Sequence, residues 1–277
     1  MGKKGHSLAR VNSMIKLMDV RFGYQPGQEV LKGLSLTFDQ RTTAIIGQNG
    51  AGKTTLVKLL KGLLQPTAGD VFIGEVNTKT ATVAQLASTI GLVFQNPHDQ
   101  IFKRTVVDEV MFGPLQLKVN EQTAKQRAQE ALELVGLWER HAENPHDLGL
   151  SEKKLITIAS VVAMNTDIII LDEPTIAQDD AGKRRIAEII KQLKHEGKLV
   201  MAILHDMDFV AAHFERTIVL NQGQVLVDKD TRDVFSQQEL LQRAGLDTPY
   251  VTQLGKQWEE ETVLTAEELI GRWSLRG

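Results

Sequence analysis

The chain has 277 residues, 42% of them hydrophobic and 24% charged, which is enough apolar material for one large domain or for a domain with an appendage. Its formal net charge of −3 gives no overall basic field of the kind that nucleic-acid-binding proteins use, and the lack of cysteine excludes disulfide bonds, so we expect no nucleic acid partner. Because its apolar runs are far shorter than the roughly 20 residues of a membrane-spanning helix, and no charged-then-apolar leader precedes the first predicted strand, we expect a cytoplasmic protein without a transmembrane segment.

Two strands are predicted to open the fold. Residues 1–13 are basic and lack periodicity, so we interpret them as a tail or an expression scar ahead of a domain at 14–229. Apolar residues alternate over 15–22 and over 34–38, and a turn-forming segment separates them at 25–28. This pattern predicts an antiparallel β layer.

A glycine-rich segment follows the next short apolar run, at 42–46, and precedes a stretch with helical spacing of leucines. Its two glycines separated by four residues, followed by lysine and a hydroxyl, match the motif that cradles the phosphates of a nucleoside triphosphate. Glycines let backbone N–H groups surround the phosphates, and the helix dipole adds attraction for anions. Lys53 is predicted to reach the β and γ phosphates, and Thr54 to bind Mg²⁺. The predicted nucleotide-binding residues here are Gly47, Gln48, Asn49, Gly50, Ala51, Gly52, Lys53, Thr54 and Thr55.

The centre of the chain is predicted to alternate strands and helices. Short strands at 71–73 and 92–94 are followed by a helical insert at about 97–165. The runs at 167–172 and 199–204 are continuously apolar, which is typical of strands covered on both faces, and a helical segment separates them. We therefore expect a parallel α/β core.

Helical spacing is strongest over 106–135, within the insert, and over 181–193, between the two apolar strands. A hairpin turn is predicted at 221–224. From 230 to 277 the composition shifts to polar helices with widely spaced large apolar residues. We interpret this last segment as a small C-terminal helical extension that makes subunit contacts.

Polar side chains follow the two apolar strands. An apolar strand that ends in two carboxylates is often only a strand running into a loop, and a histidine at a strand end is often structural. Here the strand ends at Gly47, Glu173 and His205 are expected to meet at one carboxyl edge of the sheet, where α/β folds bind ligands. We predict that Asp172 helps to hold Mg²⁺, that Glu173 acts as general base toward the attacking water, and that His205 contacts the γ-phosphate.

These motifs together resemble the ATP-binding cassette (ABC) ATPases over almost the whole span 15–227. The resemblance implies a P-loop α/β fold with an antiparallel β subdomain and a helical subdomain. It also identifies Gln95 with the glutamine of the family's Q-loop, which implies a role in catalysis and in Mg²⁺ binding, and Asp179 with the D-loop aspartate. Tyr24 stands where the family stacks an aromatic ring on adenine, and the alternative is a strand-edge aromatic.

The segments 94–102 and 105–113 resemble a narrower group, the ATPase subunits of energy-coupling factor transporters. That resemblance implies an ATP- and Mg²⁺-dependent ATPase at the cytoplasmic face of the cell membrane, powering uptake of vitamins or transition-metal ions. Its implied partners are a second ATPase subunit, a transmembrane coupling subunit and a substrate-binding membrane subunit. Two alternatives remain open, namely the ATPase of an ordinary ABC transporter and a soluble regulatory cassette protein.

The family's signature motif, Leu-Ser-Gly-Gly-Gln, is altered in this chain. Counting back from Asp172, the family spacing puts the motif's serine at Gly149 and its second glycine at Ser151, while the final glutamine becomes Glu152. The family donates this motif across a head-to-tail dimer to ATP held by the other subunit. We therefore predict a heterodimer of ATPase subunits, in which the site completed by Gly149 and Ser151 binds ATP but hydrolyses it slowly.

Overall fold

The computed structural model describes residues 15–258 and 261–274, so the predicted tail at 1–13 lies outside the described residues. The first sheet has four antiparallel strands in the order β2-β1-β4-β5. The strands of this sheet are β1 Ile15–Gln25, β2 Gln28–Phe38, β4 Ala68–Ile73 and β5 Val76–Asn77. The predicted antiparallel layer is confirmed, but β1 and β2 are longer than predicted and meet in a two-residue turn at Pro26 and Gly27.

The second sheet has six strands in the order β10-β9-β3-β8-β7-β6. Its strands are β3 Thr43–Ile46, β6 Ile90–Val93, β7 Ile168–Asp172, β8 Leu199–Ile203, β9 Arg216–Asn221 and β10 Gln224–Asp230. Neighbours from β9 to β6 pair in parallel, and β10 adds an antiparallel hairpin. The parallel core and the hairpin at 221–224 are therefore as predicted, whereas the strand predicted at 92–94 begins two residues earlier.

Helices cover the parallel sheet. They are α1 Lys53–Leu60, α2 Val83–Ala87, α3 Val106–Gln116, α4 Glu121–Leu134, α5 Leu150–Met164, α6 Asp180–His195, α7 Met207–His213, α8 Thr231–Phe235, α9 Gln238–Arg243, α10 Tyr250–Gln257 and α11 Ala266–Ser274. The helical stretch predicted at 106–135 is divided into α3 and α4. The chain turns between them at Lys118, whose φ of 61° is incompatible with a continuing right-handed helix.

Helix α1 is sandwiched between the two sheets, which explains its leucine spacing. Leu56, Leu59 and Leu60 are fully buried in a cluster that joins the antiparallel sheet to one face of the parallel sheet. Strand β7 is covered on both faces because Ile168 and Ile170 pack in that cluster, while Ile169 and Leu171 pack against the helices on the other side. Burial on both faces accounts for the unbroken apolar run of this strand.

Of the C-terminal helices, α8 packs beside strands β9 and β10, and α10 contacts α11. Leu241 is fully buried in the main core, and the indole rings of Trp258 and Trp273 stack with centroids 5.0 Å apart. Tyr250 is 80% exposed. None of the helices in the described part of the chain is long and apolar enough to cross a membrane.

Candidate nucleotide-binding and hydrolysis site

The glycine-rich loop lies between the end of β3 and the start of α1, as the motif requires. Gly52 precedes the helix with φ 102°, a conformation that L side chains rarely adopt. Gly47 approaches the neighbouring strand so closely that a Cβ there would lie 2.3 Å from the carbonyl oxygen of Leu220. Lys53 folds back over the loop, and its Nζ donates to the carbonyls of Gly47 at 2.7 Å and Gln48 at 3.1 Å. These loop contacts hold the ammonium above the helix N-terminus.

A cavity of about 350 Å³ opens at the carboxyl edge of the parallel sheet, and we call it the nucleotide cavity. It brings together eleven of the predicted site residues. Gly47, Gln48 and Ala51 do not line it, whereas Val30 and Ile203 line it and were missed by sequence reasoning. Its full lining is Tyr24, Val30, Asn49, Gly50, Gly52, Lys53, Thr54, Thr55, Gln95, Asp172, Glu173, Ile203 and His205.

Gln48 instead points toward the C-terminal extension. Its Nε2 donates to the carbonyl of Gly245 at 3.4 Å, and a Cβ at Gly245 would collide with the same amide. Gln48 is predicted as a nucleotide-binding residue of this loop, and its side chain faces away from the nucleotide cavity. Only its backbone belongs to the loop that surrounds the phosphates.

The two carboxylates follow β7 in different backbone conformations. Asp172 is the last residue of the strand, whereas Glu173 has φ 51°, in the left-handed region where a non-glycine residue is strained. The Glu173 N–H donates to the carbonyl of Ile203 at 3.0 Å, which fixes this turn to the end of β8. The strained turn directs both side chains into the nucleotide cavity.

Glu173 and His205 are in direct contact. His205 Nε2 lies 2.9 Å from Glu173 Oε1, and the glutamate side chain is only 4% exposed. Burial, reinforced by the neighbouring Asp172, raises the pKa of Glu173 to about 7, while burial and the charge of Lys53 lower the pKa of His205. Because both shifts disfavour the charged forms, we describe the contact as a hydrogen bond with one shared proton.

Lys53 is the cation that faces these carboxylates across the nucleotide cavity. Burial lowers its pKa, although attraction to Glu173 and Asp172 opposes this effect. Burial also raises the pKa of Asp172, and the charge of Lys53 opposes that shift too. A polyanion entering the cavity would therefore meet one buried ammonium and the N–H groups of the loop, with an acidic pair on the far side.

Tyr24 stands at the rim of the nucleotide cavity. Its ring is 59% exposed and packs edge-on against Phe22 with centroids 5.0 Å apart. Its hydroxyl lies 3.3 Å from Thr55 Oγ1, on the first turn of α1. An exposed ring held in this way has a free face for a flat aromatic ligand, and a strand-edge role alone would not require the link to α1.

The three cavity residues predicted to bind Mg²⁺ carry oxygen atoms of the kind that this ion prefers. They are the hydroxyl of Thr54, the amide of Gln95 and the carboxylate of Asp172. Among residues 15–258 and 261–274, no cluster of three or more His, Cys, Asp and Glu side chains forms a separate metal site. This hard, sparse donor set fits a Mg²⁺ ion that shares its shell with phosphate oxygens and water.

The ABC transporter family profile matches residues 31–176, which is more than half of the chain. The chain belongs to the ABC transporter family of ATPases. It is similar to an ABC transporter ATP-binding protein of Pyrococcus furiosus, with 40% identity over 257 residues, covering 93% of this chain and 98% of the relative.

Two other similar proteins carry more specific names. The energy-coupling factor transporter ATP-binding protein EcfA1 of Caldanaerobacter subterraneus subsp. tengcongensis is 38% identical over 270 residues, covering 93% of this chain and 97% of the relative. The structure of CbiO1 from Clostridium perfringens, described as part of the ABC transporter complex CbiONQ, superposes with a TM-score of 0.76 at 28% identity, covering 90% of this chain and 99% of that one.

The altered signature of this ABC ATPase begins helix α5, outside the nucleotide cavity of its own chain. Gly149 caps the helix, and its N–H donates to Glu152 Oε2 at 3.0 Å, while Arg140 forms an ion pair with Glu152. The Glu152 carboxylate is therefore partly neutralised within the chain. Leu150, 45% exposed, is the bulky residue of this turn.

Ser151 is bonded to the loop that precedes α6. Its Oγ donates to Gln178 Oε1 at 3.0 Å, and Gln178 Nε2 donates back to the carbonyl of Ser151 at 3.1 Å. Asp179, identified above with the D-loop aspartate, accepts from the N–H of Gly182 and caps α6. The side chains at 151, in the altered signature, and at 178, beside Asp179, thus form one paired contact.

Proposed function

We propose that this ABC ATPase is the ATP-hydrolysing subunit of an energy-coupling factor importer, attached to the cytoplasmic face of the membrane and powering uptake of a vitamin or a transition-metal ion. The observation that carries the hydrolytic part is the Glu173–His205 contact of 2.9 Å at the edge of the phosphate loop. The relatives named for energy-coupling factor transport support the choice of transporter.

The proposed roles follow the chemistry of the side chains in the nucleotide cavity. Lys53 and the loop N–H groups bind the β and γ phosphates, and the ring of Tyr24 stacks on adenine. In its deprotonated form Glu173 accepts a proton from the attacking water, while His205 orients that carboxylate and contacts the γ-phosphate. Mg²⁺, held by Thr54, Gln95 and Asp172, would neutralise phosphate charge.

A single nucleotide cavity of this kind is open on one side, so we propose that a second ATPase subunit covers it. Ser151 of this chain is already bonded to Gln178, and Glu152 carries a negative charge near it. A partner's ATP would find no free hydroxyl at position 151. We therefore propose a heterodimer in which the site built on Lys53 of this chain turns over, and the site completed by Gly149 and Ser151 holds ATP without rapid hydrolysis.

The hydrolytic assignment is tested by Glu173→Gln, which keeps the shape of the side chain and removes its ability to accept a proton. Loss of a general base lowers turnover by roughly 10²-fold to 10⁴-fold, while ATP binding should remain. The matched control is Glu75→Gln in the exposed turn between β4 and β5, which should turn over like the wild type. Wild-type turnover in Glu173→Gln would contradict the assignment.

The transporter assignment is tested by purification from membranes. The tagged chain should bring with it a transmembrane coupling subunit, a second ATPase subunit and a separate small membrane protein that binds the transported solute. Recovery of a permease that itself recognises the solute would instead identify an ordinary ABC transporter. Full-rate hydrolysis by a homodimer of this chain would contradict the heterodimer.

A further inference from the structure

Lys154 is a buried lysine that the hydrolytic assignment does not use. It lies in the second turn of α5 and is 1% exposed. Its Nζ donates to three backbone carbonyls, those of Phe94 at 2.8 Å, Gln95 at 2.9 Å and Asp172 at 2.9 Å. An ammonium has three N–H donors, so the hydrogen-bonding capacity of this group is fully used.

The three carbonyls belong to two neighbouring strand ends. Strands β6 and β7 pair in parallel up to Val93 and Leu171, and the pairing stops there. Beyond that point Lys154 links the two chain segments, because its Nζ donates to the carbonyl of Gln95 on one side and to the carbonyl of Asp172 on the other. The backbone spacing of these two residues is thereby set by one atom.

Packing alone does not account for a lysine at this position. Burying an ammonium costs several kcal/mol before its partners compensate, whereas a methionine would fill similar space without that cost. Lys61, at the other end of β6, makes a useful comparison because it is also buried but gives a single bond, 2.6 Å to the carbonyl of Ile90. Of these two buried lysines, Lys154 at the cavity end of the sheet bonds three carbonyls, whereas Lys61 at the opposite end bonds one.

We propose that Lys154 is a positioning residue that holds the side chains of Gln95 and Asp172 at the separation required to bind Mg²⁺ with ATP. Both side chains line the nucleotide cavity, while Lys154 lies behind them. This inference rests on the proposed function of the cavity. It does not involve contact between Lys154 and the nucleotide.

The test measures binding of a fluorescent ATP analogue to the full-length chain, with EDTA and then with Mg²⁺. In the wild type, Mg²⁺ should tighten binding. Residues that position metal ligands typically change metal affinity by about 10-fold to 100-fold, so Lys154→Met should remove most of this tightening. Affinity in EDTA should stay within about twofold of the wild type, because the phosphate loop is untouched.

Two further variants distinguish positioning from general loss of structure. Lys154→Arg retains the charge but spreads its donors over a planar guanidinium, so it should recover only part of the Mg²⁺ response. Lys61→Met removes a buried lysine from the same strand and should leave the Mg²⁺ response unchanged. If Lys154→Met is recovered unfolded, Lys154→Gln replaces it, since an amide retains two donors, with a smaller expected loss of the Mg²⁺ response.

The outcomes separate this inference from the proposed function. If Mg²⁺ tightens binding of the ATP analogue to Lys154→Met as much as to the wild type, the positioning role is overturned. It is also overturned if the variant binds the analogue more weakly by the same factor with and without Mg²⁺. A wild-type chain that does not bind the ATP analogue at all would overturn the proposed function instead.

Discussion

The raised pKa of Glu173 makes a specific prediction for the stability of the nucleotide-free protein. Burial shifts this pKa from 4.5 to about 7, so in the window between those values the folded chain keeps a proton that the unfolded chain has lost. Stability should therefore fall as pH rises from 4.5 to about 7 and stay level above that. Glu173→Gln cannot ionise, so it should lack this decline.

The size of the effect follows from the shift. One pKa unit corresponds to about 1.4 kcal/mol, so the full decline is about 3 kcal/mol, of which about 2.5 kcal/mol falls between about pH 5 and about pH 8. From about pH 5 to about pH 8, the unfolding free energy of Glu173→Gln should therefore rise by about 2.5 kcal/mol relative to that of the wild type.

Urea denaturation of both proteins at the two pH values, without nucleotide, measures this difference directly. Taking the difference between variant and wild type cancels the titration of groups that do not interact with Glu173. The exposed Glu75→Gln provides the control and should differ from the wild type by a constant at both pH values. A constant difference for Glu173→Gln as well would refute the inference that burial holds this carboxyl protonated.

Three other perturbations test separate parts of the molecule. Lys53→Ala should weaken ATP binding by at least about tenfold in a binding titration, because a charge-assisted contact contributes about 1.5 to 3 kcal/mol, and unchanged affinity would contradict its phosphate role. Ser151→Ala and Gln178→Leu remove the same bonded pair, so their stability costs in urea should be non-additive by about 1 kcal/mol, and simple additivity would contradict the pairing. Asp228→Ala should destabilise the fold by about 3 kcal/mol in the same assay, because the buried guanidinium of Arg216 loses the carboxylate that it bonds through two nitrogens and retains Asp39 at 4.0 Å.

The parts of the fold that could be predicted from the sequence are those determined by residues close together in the chain. The loop before Lys53 needs glycine because Gly52 has a positive φ angle, which side chains disfavour. The apolar run that ends at Asp172 indicates a strand buried on both faces. The convergence of Glu173 and His205 followed from a general property of parallel sheets, since strand ends meet at one edge. For this reason the predicted cavity and the observed one share most of their residues.

The parts that could not be predicted depend on distant segments that meet only in the folded chain. Val30 reaches the nucleotide cavity from the antiparallel sheet, and no local pattern distinguishes it from other strand residues. Gln48 is part of the phosphate motif, yet its side chain contacts Gly245 of the C-terminal extension, almost two hundred residues later. The triple bonding of Lys154 is likewise invisible in the sequence, where the residue is one lysine in a helical pattern.

The altered signature shows why such contacts matter for function. Taken alone, Ser151 in place of a glycine adds a hydroxyl that could reach a partner's phosphate, and Gln178 is an unexplained polar residue. Together they satisfy each other through two hydrogen bonds, so the two substitutions act as one unit. Restoring glycine at 151 would leave the amide of Gln178 without its partner, whereas restoring both positions would free the start of α5. If the heterodimer is asymmetric for the reason proposed, only the double reversion should raise hydrolysis at the site that this chain completes. An equal rise in Ser151→Gly alone would show that Gln178 takes no part, and a double variant that stays slow would assign the slow turnover to Glu152 and Leu150 instead.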